Sequence, residues 1–243
     1  MLANDKFKII IKEENSLNDL DLEELKKLFD DIYIAKQGHD IIIYDFQAKT
    51  KINTLKFHLW NISSIHLCKN PFFVDNNPLI PSNNSFFVLS SSIDGKFAMH
   101  NILYENHLFK FELIAQCQPT KDEINGVIQI ENGQFIVSTR DQHIILFSKY
   151  INNKNFQKIK EIEKEWPMEA LRPFEIKKNI IGVYWQFDDH EYDGTLSDSD
   201  VWDQNHKNDG IYIYEIKEDK FEKIKIIKKE SINYRSFIFL KFF

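Results

Sequence analysis

The densest run of chemistry-bearing side chains lies at residues 188–209. Asp188, Asp189, His190, Glu191, Asp193, Asp198, Asp200, Asp203, His206 and Asp209 all fall within this polar stretch. Carboxylate oxygens at that density suit Ca²⁺, and two histidines with an aspartate suit Zn²⁺. The spacing matches no EF-hand loop, however, because that loop needs ligands at alternate positions and a closing glutamate. The composition reads better as a solvated acidic loop inserted between strands, and no metal or other cofactor is expected. Within it, Thr195 and Ser197 each have an aspartate three residues on, Asp198 and Asp200, a spacing suited to acid-directed phosphorylation. Trp202 stands in the same run, where no core is expected. A large aromatic there either staples the loop down or meets a partner. Thr195, Ser197 and Trp202 are therefore the candidate interaction or regulatory residues.

Other catalytic signatures are missing. The chain has no Gly-x-Ser-x-Gly elbow, Gly-rich phosphate loop, His-Glu-x-x-His helix or Cys-x-x-Cys pair. His39, His58, His66, His100, His107 and His143 are scattered over expected strands and turns, and His100, at the end of an apolar run, reads as a packed core residue. Trp60, Trp166 and Trp185 lie in or beside apolar segments and read as packing. Cys68 and Cys117 are too few for a disulfide framework and have apolar neighbours. They read as small core side chains in a reducing compartment, so a cytoplasmic location is expected.

The elements that must position these residues are strands. The chain has 21 Phe and 9 Tyr with abundant Ile, a composition suited to pleated surfaces. With only 7 Gly and 6 Pro, Asn, Asp and Lys must carry many of the turns. One pattern recurs four times: a short strand, a turn, then an apolar strand ending in an aromatic or His and a polar residue. The turns are Gly38-His39-Asp40, Asp94-Gly95-Lys96, Asp141-Gln142-His143 and, after the acidic insert, Asp209-Gly210. The closing positions Tyr44, His100, Phe147 and Tyr214 recur at intervals of 56, 47 and 67 residues. The long intervals hold insertions at 70–85 and 188–209.

Each unit continues into a further strand, at 51–55, 108–113, 156–162 and 221–226. The last two alternate apolar and charged residues as a half-exposed outer strand does. Leading strands are expected at 64–67, 126–130 and 173–176. Residues 17–29 have partial helical spacing but occupy the place of the first leading strand, and both readings stand.

In their likeness to a Ser-Gly-Ser-x-Asp-Gly turn frame and in the closing pair, these segments resemble WD repeats. Ser90-Ser91-Ser92-Ile93-Asp94-Gly95 followed by Phe97-Ala98-Met99-His100-Asn101 fits the frame, with His and Asn in place of Trp and Asp. Ser138-Thr139-Arg140-Asp141 with Phe147-Ser148 fits it as well. Tyr44-Asp45 keeps the final aspartate, and Tyr214-Glu215 keeps a carboxylate. No unit retains the Trp-Asp pair, and none has the family's Gly-His dipeptide in its usual place. The resemblance implies an all-β, β-propeller fold with about four recognisable four-stranded blades, at about 20–60, 61–117, 122–164 and 168–230, plus partial terminal strands. In that family a His on the leading strand, a Ser and the turn Asp form a hydrogen-bond network.

Four blades are fewer than the usual seven. Residues 6–12 resemble the outer strand at 221–228, and residues 234–243 resemble the start of another blade. Residues 1–243 are thus expected to be one propeller domain, either incomplete or a piece of a longer one. The net charge of −6 argues against a non-specific nucleic-acid partner, and no apolar run is long enough to insert in a membrane as a helix. The resemblance implies a non-enzymatic scaffold for protein partners. A propeller hydrolase with an acidic central-channel site is the alternative.

Overall fold

The computed structural model describes residues 23–163, 168–187 and 209–228, and every regular element among them is a strand. The chain lays down four sheets in succession. The first comprises β1 (Glu23–Phe29), β2 (Ile32–Gln37), β3 (Asp40–Asp45) and β4 (Thr50–Lys56), paired in chain order. Then come β5 (Ile62–Leu67), a small hairpin of β6 (Phe72–Val74) and β7 (Asn77–Leu79), and β8 (Ser85–Ser92), β9 (Phe97–Glu105) and β10 (Leu108–Cys117). The second sheet runs β5-β8-β9-β10. The third contains β11 (Ile124–Gln129), β12 (Phe135–Thr139), β13 (His143–Asn152) and β14 (Asn155–Glu163). In the fourth, β15 (Met168–Ala170) and β16 (Phe174–Lys177) both pair with β17 (Ile180–Phe187), followed by β18 (Gly210–Lys217) and β19 (Lys220–Lys228). Each sheet is built on an antiparallel meander of four strand positions, and the third gains β6 and β7 as two further strands.

The period of two along each strand explains how the sheets stack. In the second sheet Phe86 and Val88 enter an apolar cluster with Ile34, Ile41 and Ile43 of the first, while Phe87 and Leu89 enter a cluster with the third. The third sheet divides its side chains the same way. Phe135, Val137, Ile145 and Phe147 face the second sheet, and Ile136, Ile144 and Leu146 face Ile181, Val183 and Trp185 of the fourth. Strands that are apolar at every position are therefore the ones packed on both faces. Ile144, Leu146 and Phe147 are almost fully buried, as the apolar run ending in Phe147 leads one to expect.

Turn chemistry follows the composition. The two-residue hairpins Asp75-Asn76, Asn106-His107, Asn153-Lys154 and Glu218-Asp219 have positive φ at both central positions, the backbone twist that best joins antiparallel strands. Asn and Asp take that conformation more readily than most residues, so the scarcity of glycine is no obstacle.

Residues 23–29, where helical spacing competes with the repeat, form the strand β1. It pairs with β2, and Leu28 and Phe29 pack against the first–second cluster, so tertiary burial overrides the local pattern. The expected insertion at 70–85 is not a plain loop. Its hairpin joins the third sheet, β6 lying parallel to the end of β13, with Phe72 fully buried against Phe87 and Phe135. The leading strand of the fourth unit is broken into β15 and β16 at Leu171-Arg172-Pro173, where proline has no N–H for the ladder. Residues 6–12 and 234–243 lie outside the described residues.

Candidate functional site

Two kinds of connection meet at one end of the stack: the turns between the second and third strands of the first three sheets, and the segments carrying the chain into the second and third sheets. Ile62 N–H donates to the Gly38 carbonyl, Ile93 N–H to the Asn61 carbonyl and Arg140 N–H to the Glu123 carbonyl. Gly95 (φ +76°) completes the pattern, its missing Cβ leaving room for the carbonyls of Thr120 and Asp122. This end is therefore a laced, rigid surface.

Beneath it, the segment before β5 buries His58. Its Nε2 is 2.8 Å from Ser90 Oγ on β8, and its Nδ1 is 3.5 Å from Asp94 Oδ2 in the β8–β9 turn. Asp94 Oδ1 accepts from Lys96 N–H at 3.0 Å, closing the turn on itself. Burial pushes the His58 pKa down, and the Asp94 carboxylate offsets part of that. Beside it lies His100, whose two ring nitrogens have no hydrogen-bond partner and whose ring meets Phe57 edge-on at 4.7 Å. Burial, aided by the nearby His58, pushes the His100 pKa down to about 4. A packed His100 matches expectation.

Ser90, His58 and Asp94 match in type the nucleophile, base and orienting acid of a hydrolase. Their burial decides against that chemistry. Ser90 is fully buried and the His58 side chain has no exposed surface, so a substrate carbonyl cannot approach Oγ. The trio instead braces the loop to the sheet. In the third sheet the same turn is held differently: His143 Nδ1 lies 2.8 Å from Glu161 Oε1 on the outer strand, and its Nε2 lies 3.9 Å from Asp141.

Directly after His58, Leu59 and Trp60 project outward with 78% and 63% of their surface exposed. Trp60 is thus not the packing residue its apolar neighbourhood suggests, because the chain follows loop geometry here and turns its side chain away from both sheets. Trp185 does pack: it is fully buried and donates through Nε1 to Tyr214 Oη at 3.2 Å. Cys68 is buried, with burial pushing its thiol pKa up, and Cys117 is half-buried.

The innermost strands converge on a second polar centre. Glu24 on β1 accepts from Ile65 N–H of β5 at 2.8 Å, and Ser64 Oγ of β5 accepts from Val127 N–H of β11 at 3.1 Å. Asn125 on β11 donates to the Ala170 carbonyl of β15 at 3.0 Å. Arg172 of the fourth sheet then reaches back to Glu24 of the first and to the Ser63 carbonyl of the second. Gly126 makes this reach feasible, since a Cβ there would stand 2.7 Å from Arg172 Cγ. One side chain thus ties the first sheet to the last.

Thr195, Ser197, Trp202 and Trp166 lie outside the described residues, as does the acidic run up to residue 208. Asp209, at its end, is buried. No group of three or more metal-ligating side chains comes together among the described residues. Among the described residues no helix is long and apolar enough to cross a membrane. The His58 network escapes a motif search because Phe57, not glycine, precedes the histidine. The signal available was Ser90 four residues before Asp94. A scan of protein-family models and a search of curated proteins both return no match to the chain.

Proposed function

We propose that this chain is a diverged propeller of WD-repeat type, complete or partial, serving as a non-enzymatic scaffold for protein partners. The observation carrying this reading is the succession of four antiparallel meanders whose inner strands converge on Glu24, Ser64, Asn125 and Arg172. The second and third sheets are packed on both faces, and a core so filled leaves the connecting loops as the parts that can vary without disturbing it. The His58–Ser90–Asp94 network supports the WD-type reading, because it joins the residue types that family joins and braces a loop to a sheet.

Amide hydrogen exchange on the chain with and without an affinity-captured partner tests the proposal. Protection confined to the connecting loops is the expected result. Protection along the outer strands would defeat it. So would turnover of an ester or glycoside panel that is lost on mutating carboxylates at the inner strands.

A further inference from the structure

We propose that Leu59 and Trp60 form a docking knob that inserts into an apolar cleft, edged with carboxylates, on a folded protein partner. The inference rests on the scaffold reading and names its contact surface. Leu59 and Trp60 are consecutive, and both are strongly exposed; Ile80 and Leu108, also exposed, each stand singly. Adjacent exposed apolar side chains in a braced loop present a convex feature, so the partner must supply the concavity.

The backbone that carries them is already ordered. Leu59 N–H donates to Asp94 Oδ2 at 3.3 Å, and the single Ser92 hydroxyl proton is shared between the carbonyls of Asn61 at 2.9 Å and Trp60 at 3.1 Å. Ile93 N–H reaches the Asn61 carbonyl at 3.2 Å, and Ile62 N–H reaches Gly38 at 2.7 Å. Binding would therefore order little beyond two side chains, the condition under which a buried tryptophan contributes most to affinity.

Charge selects the partner. Lys56 is exposed just ahead of the segment, and Lys96 lies close enough to depress the His58 pKa. Neither lysine has an ion-pair partner among the described residues. The nearby Asp94 carboxylate is turned inward to His58 and the backbone. Lys56 and Lys96 thus give the knob two cationic neighbours that complement an acidic rim. Insertion into an anionic lipid surface is disfavoured because two side chains are far less apolar surface than an interfacial element buries.

The test places a photo-crosslinking phenylalanine analogue at position 60 of the full chain, and separately at position 108, at the opposite end of β9. Both are irradiated in an extract of the source cell. The expected result is a protein adduct at position 60, competed away by the unlabelled chain. The Trp60→Ala chain should compete about thirtyfold less well, with an unchanged melting temperature because its indole is exposed. Lys56→Glu with Lys96→Glu should also compete less well, and equal competition by that pair would overturn the acidic rim. A lipid adduct, or equal competition by Trp60→Ala, would overturn the knob. Protein adducts at position 108 alone would leave the scaffold standing and remove the knob, and adducts at neither position would remove both.

Discussion

Replacing His100 by phenylalanine should stabilise the protein, and by more at acid pH than at neutral pH. In the unfolded chain this imidazole titrates near 6.5, whereas in the fold burial and His58 hold its pKa at about 4. Between those values the unfolded state binds the proton and the folded state does not, so stability falls as pH drops through the window. Over the whole window the loss is about 3 kcal/mol, at about 1.4 kcal/mol per pH unit. By pH 4.5 most of it, about 2–3 kcal/mol, is gone. His58 shifts in the same direction, but both proteins retain it, so the comparison isolates His100. At neutral pH a second effect acts: two buried ring nitrogens lack partners, and removing such groups recovers up to about 1–3 kcal/mol. Phenylalanine has a similar shape and keeps the edge contact with Phe57. Urea unfolding of both proteins from pH 7.5 to 4.5 measures the difference. Parallel stability profiles would refute the claim that this imidazole is buried and neutral.

Phe147 is buried between the second and third sheets, its ring 5.1 Å from that of Phe97. Phe147→Ala should cost about 3–5 kcal/mol, and a melting curve that barely moves would contradict the stacked arrangement. Gly126→Ala should cost about 1–3 kcal/mol by pushing Arg172 off Glu24. In a double-mutant cycle with Arg172→Ala the two costs should fall short of additive, and strict additivity would mean that they do not meet. Trp185 is paired with Gly210 across β17 and β18, so the ends of the acidic insert are already adjacent. Replacing residues 189–208 by a short Gly-Ser turn should preserve cooperative unfolding, because closure entropy changes slowly with loop length. Loss of that transition would show that the insert contributes to the core.

The all-β architecture was legible in the sequence because its cause is local. Period-two patterning, apolar runs and Asn/Asp turns act within each meander, and the doubly apolar strands already implied packing on both faces. The strand at 23–29 was ambiguous, since its helical spacing is also local and only burial against the second sheet decided it. The candidate site was less legible. Ser90 and Asp94 sit in a recognisable frame, but His58 lies 32 residues before Ser90 with nothing in its immediate neighbours to mark it, and only sheet pairing brings them together. The exposure of Trp60 was opposite to what its apolar surroundings suggested, because side-chain direction in a loop is set by hydrogen bonds to Ser92 and Asp94 from another segment. Arg172 carries no signal at all in a single chain. Its partners Glu24 and Ser63 are more than a hundred residues away, and only the convergence of inner strands makes an ion pair between the first sheet and the fourth.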